Sequence, residues 1–294
     1  MKLGYFPGCS LHATAREFDR SLKAIAGPLG FELEELEDWS CCGATSAHQT
    51  NHLLAVLLAA RNLALAESQG IRQVMAPCAA CFSRLATARH EIAHDEALGT
   101  RVNEVLRGEF ANSVEVQSIL ALLRPMTSKI QESAKAGLRG LKVACYYGCL
   151  LLRPPEVAQF DDVEAPSSME QIVEAAGARP VKWGKRLDCC GAGLSISRTA
   201  SVVRLGRAIL EDARAAGAEA LVVACPMCHT NLDLRQKAML QRGEAQLPVL
   251  FLTQAVGLGL GLEPGELGLA RHIISTKALI ARVSSGGESA AQAS

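Results

Sequence analysis

The chain has 294 residues, of which 49% are hydrophobic and 20% are charged. This length is sufficient for two domains with separate cores, and the formal net charge of zero argues against binding to nucleic acid or to an anionic membrane surface. The start, from Met1 to Tyr5, lacks the apolar region of a secretion signal, which predicts a cytoplasmic protein. Eleven cysteines in such a protein indicate metal or redox chemistry rather than a disulfide framework.

The first half of the chain alternates apolar runs with helical patterns. Strands are predicted over 3–6, 31–36, 73–76 and 114–116, and helices over 13–26 and 119–123. A further long helix is predicted between the second and third strands, and Gly70 is expected to end it. Its expected buried face consists of Leu53, Leu54, Leu57, Leu58, Arg61 and Leu65.

The second half of the chain repeats the order of the first. Residues 142–149 align with residues 2–9, and Cys225 aligns with Cys78 at an offset of 147 residues. Strands are predicted over 143–147, 180–183, 220–224 and 249–252, with a closing helix over 254–258. The predicted organisation is a first domain over 1–125, a linker over 126–140, a second domain over 141–282 and a disordered tail over 283–294.

An uncharged stretch over 245–262 reaches the length of a membrane-spanning helix. Pro248 lies near its start, and Gly257, Gly259 and Gly261 weaken a helix. The corresponding part of the first half is predicted as a short strand followed by a helix. The sequence therefore favours a buried strand and a short helix here, and it predicts no transmembrane segment.

The alternation of strands and helices predicts an α/β fold with two repeated domains, each a small and mainly parallel sheet flanked by helices. In parallel sheets, sites form at the carboxyl ends of the strands. In each half, one cysteine and one Cys-x-x-Cys pair directly follow predicted strands, and two adjacent cysteines lie shortly after another strand. Cysteines that are distant in sequence are therefore expected to converge at one edge of each sheet.

Ten of the eleven cysteines form two sets of five, and each set is a candidate metal site. The first set is Cys9, Cys41, Cys42, Cys78 and Cys81, and the second is Cys149, Cys189, Cys190, Cys225 and Cys228. A structural zinc site and a cubane cluster each take four ligands, so five thiols favour another kind of iron–sulfur cluster. The alternative is a zinc ion in one or both domains, with one spare cysteine. Cys145 aligns with Tyr5 inside a predicted strand and is expected not to be a ligand.

Each set contains a Cys-Cys-Gly sequence, at 41–43 or 189–191, and resembles the CCG domain. Two such copies in one chain resemble the B subunit of heterodisulfide reductase, over nearly the whole chain except the tail. The stretch from Tyr146 to Cys149 and the following Leu152-Arg153-Pro154 are similar to the opening of that protein's second domain. The resemblance implies two non-cubane 4Fe–4S clusters, each held by the five cysteines of one set.

The resemblance also implies a function. In methanogenic members of the family, the two clusters face each other and reductively cleave a disulfide between them. This chain is then expected to catalyse two-electron thiol–disulfide chemistry, or chemistry on carrier-bound sulfur, as the disulfide-active subunit of a heterodisulfide reductase-like complex. The implied partners are a ferredoxin-like C subunit with cubane clusters and a flavin-containing A subunit. The alternative is a non-catalytic electron-transfer subunit, because related CCG domains occur in glycolate, lactate and succinate oxidoreductases.

Three further residues are weaker candidates for a catalytic role. His48 and His229 lie close in sequence to the candidate cluster cysteines, and each could donate a proton to a departing thiolate. A polar residue at the start of a helix is the simpler interpretation of both histidines. Arg153 could hold an anionic group of the substrate, although arginines are also common at protein surfaces.

Overall fold

A computed structural model of the chain describes residues 1–44, 47–108, 110–135, 138 and 140–283, except for the side chain of His48. The described residues form two four-stranded parallel sheets flanked by helices, one in each half of the chain. This confirms the predicted α/β class and the predicted repetition. The expected disordered tail lies, after Val283, outside the described residues.

The first sheet is built from four short strands. They are β1 (Lys2–Tyr5), β2 (Glu32–Glu35), β3 (Gln73–Met75) and β4 (Glu115–Gln117). Their order is β2-β1-β3-β4, and each neighbouring pair is parallel. The helices of this half are α1 (Gly8–His12), α2 (Arg16–Leu29), α3 (Ala47–Thr50), α4 (His52–Ser68), α5 (Ala79–His94), α6 (Glu96–Leu106) and α7 (Ile119–Leu123). The first strand therefore lies between the two other strands that lead to cysteines.

The second sheet repeats this topology. Its strands are β5 (Lys142–Tyr146), β6 (Arg179–Pro180), β7 (Ala220–Val223) and β8 (Val249–Phe251), in the order β6-β5-β7-β8 and again parallel. The helices of this half and of the segment before it are α8 (Thr127–Ser133), α9 (Pro155–Ala158), α10 (Ser168–Ala175), α11 (Thr199–Ala215), α12 (Pro226–Leu234), α13 (Gln236–Met239) and α14 (Leu252–Gly259). Every residue of β7 is buried, as expected for a central parallel strand.

A glycine follows each of the two long helices, at position 70 as predicted and at position 217 in the second half. Gly70 follows α4 with a φ of 73°, and Gly217 follows α11 with a φ of 79°. Only glycine adopts this left-handed conformation without a steric penalty, and it turns the chain back toward the next strand.

The expected buried face of α4 is wrong. The helix buries Ala55, Ala59 and Ala60, whereas Leu54 is 43% exposed. Leucines surround the helix, so their spacing does not distinguish one face from another. Most of the residues that α4 buries are alanines, and small side chains allow α4 and α5 to approach each other closely.

The two halves pack against each other reciprocally. Helix α2 of the first half packs on α14 of the second, and α10 of the second half packs on α7 of the first. The pairs α1 with α12 and α9 with α5 follow the same relation. This exchange of equivalent elements describes a pseudo-twofold axis between the halves.

Buried side chains hold the α2–α14 contact together. The rings of Phe18 and Phe251 stack with centroids 4.3 Å apart, and both side chains are fully buried. Beside them the hydroxyls of Ser21 and Thr253 share a buried hydrogen bond of 2.6 Å. The two halves therefore share one continuous core at this contact.

The uncharged stretch over 245–262 contains β8 and α14, as predicted. Both elements are buried. Over the described ranges, no helix combines the length and hydropathy that crossing a bilayer requires.

We predict that the contact between the halves makes a large contribution to stability. Phe18→Ala and Phe251→Ala should each lower the free energy of unfolding by about 3–5 kcal/mol, because each removes a buried ring. The double variant should lose less than the sum, with a coupling of about 0.5 kcal/mol or more, because the rings contact each other.

Urea unfolding without oxygen measures these differences. Val105→Ala, at a side chain that is 55% exposed, is the control and should change stability little. Strictly additive effects of the two phenylalanines would show that the halves unfold without this contact.

Candidate metal centres

Three loops at the carboxyl edge of the first sheet carry the first cysteine set. Cys9 lies in α1, just after β1, and Cys41 and Cys42 lie in the loop after β2. Cys78 directly precedes α5, and Cys81 lies in the first turn of that helix, after β3. Because β1 lies between β2 and β3, these three loops are neighbours and bring the five thiols together.

The second set has the same arrangement on the second sheet. Cys149 follows β5, and Cys189 and Cys190 lie in the loop after β6. Cys225 directly precedes α12, and Cys228 lies in its first turn, after β7. The strand order β6-β5-β7 again places the three loops side by side.

Close contacts connect the sulfur atoms within each set. The Sγ atoms of Cys42 and Cys81 lie 3.4 Å apart, as do those of Cys190 and Cys228. All eleven cysteines are free thiols. In both sets the Cys-x-x-Cys residues and the second cysteine of the adjacent pair are buried, while the first cysteine of that pair is exposed. Each set therefore reaches from the protein interior to the surface.

Hydrogen bonds between the thiols of a set give them different pKa values. The bonds from Cys41 and then Cys81 lower the pKa of Cys42 to about 3. The bond from Cys149 lowers the pKa of Cys189 to about 6. The hydrogen bond to Cys42, together with burial, raises the pKa of Cys41. Each set therefore holds at least one thiolate at neutral pH, and the thiolate is the form that binds a metal.

The glycine of each Cys-Cys-Gly sequence shapes the loop. The N–H of Gly43 donates to Sγ of Cys41 at 3.4 Å, and the N–H of Gly191 donates to Sγ of Cys189 at 3.3 Å. The φ angles of these glycines are 75° and 77°, which other residues rarely adopt. A Cβ atom at position 43 would also lie 2.8 Å from a Leu58 methyl group. Conformation and space both require glycine here.

The residue before the first cysteine of each set is also glycine. A Cβ atom on Gly8 would lie 2.8 Å from Sγ of Cys81, and one on Gly148 would lie 3.4 Å from Sγ of Cys228. The missing side chain leaves space beside the Sγ atoms of Cys81 and Cys228. A group larger than a thiol proton therefore has room to bind them.

Two buried asparagines hold the Cys-Cys loops, and the sequence analysis did not identify them. Oδ1 of Asn62 accepts a hydrogen bond from the Ser40 N–H at 2.8 Å, one residue before Cys41. Nδ2 of Asn231 donates to the Cys190 carbonyl at 3.3 Å. Each asparagine is 1% exposed. A single amide side chain on the apolar face of a helix is the only signal that the sequence offers for this role.

The two cysteine sets adjoin where the two halves meet. Interaction with Cys225 of the second set is the largest cause that raises the pKa of Cys78 in the first set, so these two thiols lie near each other. A cavity of about 150 Å³ lies beside this contact. Its walls include Ala79 and Arg84 from the first half and all five cysteines of the second set, whereas no cysteine of the first set lines it. Chemistry in this cavity therefore has access to both halves.

The weaker candidates lie elsewhere. Arg153 forms an exposed ion pair with Glu164 at 3.1 Å. Nε2 of His229 is 3.1 Å from the Val249 carbonyl oxygen, and burial lowers the pKa of this histidine to about 3. Neither residue lines the cavity. The side chain of His48 lies outside the described residues.

Cys145 is separate from the second set. It lies inside β5, is completely buried and has a pKa that burial raises well above the usual value. The charges that influence it further belong to Glu170, Glu174 and Arg186, and none belongs to a cysteine of the set. Its surroundings are those of an apolar core residue.

Arg84 lines the cavity and was not among the candidates from the sequence. It follows Cys81 by three residues in α5, which places both side chains on the same side of the helix. Helical spacing from a candidate ligand could have drawn attention to it. The cavity itself could not be foreseen, because it forms only where the two halves meet.

The donor set of each centre fits an iron–sulfur cluster. Five free thiols converge in each half, at least one of them ionised, and cysteine thiolates are the usual ligands of such clusters. Five ligands exceed the four that a closed zinc site takes. The absence of a side chain at Gly8 and Gly148 provides the necessary space.

Comparison with known proteins gives relatives over nearly the whole chain. One is the membrane anchor subunit of an 8-methylmenaquinol:fumarate reductase from Wolinella succinogenes, 36% identical over 95% of this chain and 99% of the relative. Another is the B subunit of a ferredoxin/F420H2-dependent CoB-CoM heterodisulfide reductase from Methanosarcina acetivorans, 30% identical over 96% of this chain and 97% of the relative.

A crystal structure of a hypothetical protein from Helicobacter pylori has the same fold, with a TM-score of 0.72 and 14% identity. The match covers 93% of this chain and 52% of that chain, so this chain spans about half of its length. Residues 3–86 and 143–233 each match the cysteine-rich domain family CCG. Those two segments contain all ten cysteines of the two sets. The chain therefore belongs to the CCG family of cysteine-rich domains.

Proposed function

We propose that this chain is the iron–sulfur, disulfide-active subunit of a heterodisulfide reductase-like complex. Two adjoining cysteine sets carry this proposal: Cys78 of the first set and Cys225 of the second lie near enough across the contact between the halves to shift each other's pKa. A disulfide or thiol in the neighbouring cavity touches residues of both halves. Relatives that are B subunits of heterodisulfide reductases match more than nine-tenths of the chain and support this function.

In this proposal all five cysteines of each set hold one non-cubane 4Fe–4S cluster. The ligands are Cys9, Cys41, Cys42, Cys78 and Cys81 in the first half, and Cys149, Cys189, Cys190, Cys225 and Cys228 in the second. A bound cluster supplies or accepts single electrons. Zinc in one set is the remaining alternative, and it would remove one of the two electron routes.

Reduction of a disulfide consumes two electrons and two protons and yields two thiols. Two adjoining cysteine sets match a substrate with two sulfur atoms. The apolar walls, which include Ala79, Ala80 and Met227, exclude water from the reacting sulfurs. The N–H groups of Gly43 and Gly191 keep the exposed cysteines Cys41 and Cys189 oriented toward their sets.

We further propose that the chain works with partner subunits. Ten cysteines belong to the two sets and Cys145 is buried in a strand, so no cysteine remains to hold a relay cluster. A ferredoxin-like subunit with cubane clusters and a flavin-containing subunit would bring electrons to this chain. The names of the relatives, which are subunits of larger reductases, support such an assembly.

A second candidate function is electron transfer without disulfide chemistry. The 36% identical membrane anchor subunit of a quinol:fumarate reductase favours it. The cavity would then not be a substrate site. Disulfide turnover by the isolated, reduced protein distinguishes the two functions.

Anaerobic purification is expected to give a brown protein. It should contain iron and acid-labile sulfide at about eight of each per chain, since two 4Fe–4S clusters require this amount. Iron, sulfide and zinc assays on one sample provide the measurement. A colourless protein with stoichiometric zinc and no sulfide after reconstitution would contradict the proposal.

Removing one cysteine from either set should abolish disulfide turnover. Cys42→Ala and Cys190→Ala each disable one set, and one set alone cannot provide both electrons. The intact set should remain visible by electron paramagnetic resonance, which separates loss of function from unfolding. Near-normal turnover by Cys42→Ala would show that the first set does not take part in the reaction.

Cys145→Ser should keep its full iron content, because we place this residue outside both sets. The buried hydroxyl should lower stability by about 1–3 kcal/mol if it finds no partner, so Cys145→Ala is measured beside it. Iron content per chain is the readout. Loss of about half the iron in both variants would make Cys145 a ligand.

A further inference from the structure

We propose that an acidic protein that carries electrons docks on the surface around Cys189, at the outer side of the second cysteine set. This docking surface consists of the segment 182–188, the loop 191–198 and Leu150. The inference rests on the proposed function, in which partner subunits bring electrons to this chain. It assigns the cysteine set that the electron carrier approaches and the charge that the carrier presents.

The parts of the docking surface adjoin one another at the exposed end of the second set. Sγ of Cys149, the residue before Leu150, lies 3.7 Å from Sγ of Cys189. A backbone N–H at the start of the loop donates to the same Cys189 sulfur at 3.3 Å. The loop closes where the Arg198 N–H donates to the Leu194 carbonyl at 2.8 Å. A protein bound here therefore lies beside the part of the second set that reaches the surface.

Apolar side chains of the docking surface are exposed to solvent. Ile196 is 98% exposed, and Leu150 and Leu194 are each 38% exposed. Single exposed apolar residues are common, but three of them around one exposed cysteine match the apolar centre of a protein–protein interface. The corresponding positions of the first half, counted from the matching cysteines, are polar: Ser10, Ser46 and His48. In sequence, this part of the repeat is therefore apolar in the second half only.

The charges beside the two sets have opposite signs. The stretch 182–204 contains the adjacent cysteines of the second set and carries five basic side chains and one acidic one: Lys182, Lys185, Arg186, Arg198, Arg204 and Asp188. The corresponding stretch 35–56 of the first half carries three acidic side chains and neither lysine nor arginine: Glu35, Glu37 and Asp38. An acidic protein is therefore attracted to the second set and repelled from the first.

Three of the basic side chains are available to a partner. Lys182, Arg198 and Arg204 are exposed, and none of them forms an ion pair with another described residue. Lys185, by contrast, is paired with Asp188 at 2.9 Å. Exposed charges at the rim of an interface raise the rate of association, while apolar side chains at its centre supply the contact. The docking surface contains both kinds of residue.

The acidic stretch of a second copy of this chain also has the complementary charge. Such a contact would join two different surfaces of identical chains, so it would extend into open fibres unless its rotation closed a ring. A separate acidic protein ends the assembly at one complex. The proposed function also requires an electron carrier that this chain does not contain. The docking surface is therefore assigned to that carrier.

Electron transfer from two donors of different charge tests the inference. The probe is a reduced ferredoxin with an acidic surface and two cubane clusters, and the comparison is reduced methyl viologen, a small cation. Each donor is oxidised as it passes single electrons to the cluster-loaded chain. Ile196→Asp and the double variant Lys182→Gln/Arg198→Gln should each slow reduction by ferredoxin about tenfold at low salt, and reduction by viologen should stay within about twofold. Added salt should slow the unchanged protein more than the double variant.

Binding provides a readout without electron transfer. Oxidised ferredoxin should bind the immobilised chain at low salt, and Ile196→Asp and the double variant should each weaken this binding about tenfold. The matched controls are Val105→Asp and Arg72→Gln/Arg101→Gln, which change exposed side chains of the first half. Both controls should bind ferredoxin like the unchanged protein.

The outcomes separate this inference from the proposed function. Unchanged ferredoxin binding in Ile196→Asp and the double variant, or equal slowing with both donors, would overturn the docking surface. Self-association of the unchanged chain that the double variant abolishes would assign the surface to a second copy and would also overturn it. If the chain holds no cluster, the proposed function fails, and ferredoxin binding alone then decides whether an acidic protein docks here.

Discussion

Both candidate metal centres depend on the position of one strand between its two neighbours. Because β1 lies between β2 and β3, and β5 between β6 and β7, three loops that are far apart in sequence end side by side. Parallel pairing places all three loops at the same edge of the sheet. Five thiols then meet without any long or irregular connection. A change of strand order would separate the Cys-x-x-Cys pair from the adjacent cysteines.

The second constraint is the reciprocal packing of the two halves. Each half presents an early helix to the closing helix of the other, with the Phe18–Phe251 stack in the α2–α14 contact. The same relation brings the two sheet edges together, so that Cys78 meets Cys225. The contacts that bury the core therefore also set the separation of the two cysteine sets.

The sequence predicted the parts of the fold that depend on local pattern. Apolar runs gave the strands, and the repeat gave the two sheets, since β3 and β7 both lead into Cys-x-x-Cys. The buried face of α4 could not be predicted, because alanines rather than leucines form most of it. Arg84 and Asn62 were missed for a related reason. Their roles follow from what lies opposite them after folding, and a single residue carries no periodic signal.

Tandem duplication makes the two walls of the cavity chemically different. A symmetric pair of identical domains would present the same residue on both sides, whereas here position 84 is arginine and its counterpart is Asn231. A ligand in this cavity would therefore meet different side chains on its two sides, whereas the identical subunits of a symmetric homodimer would present the same side chain twice.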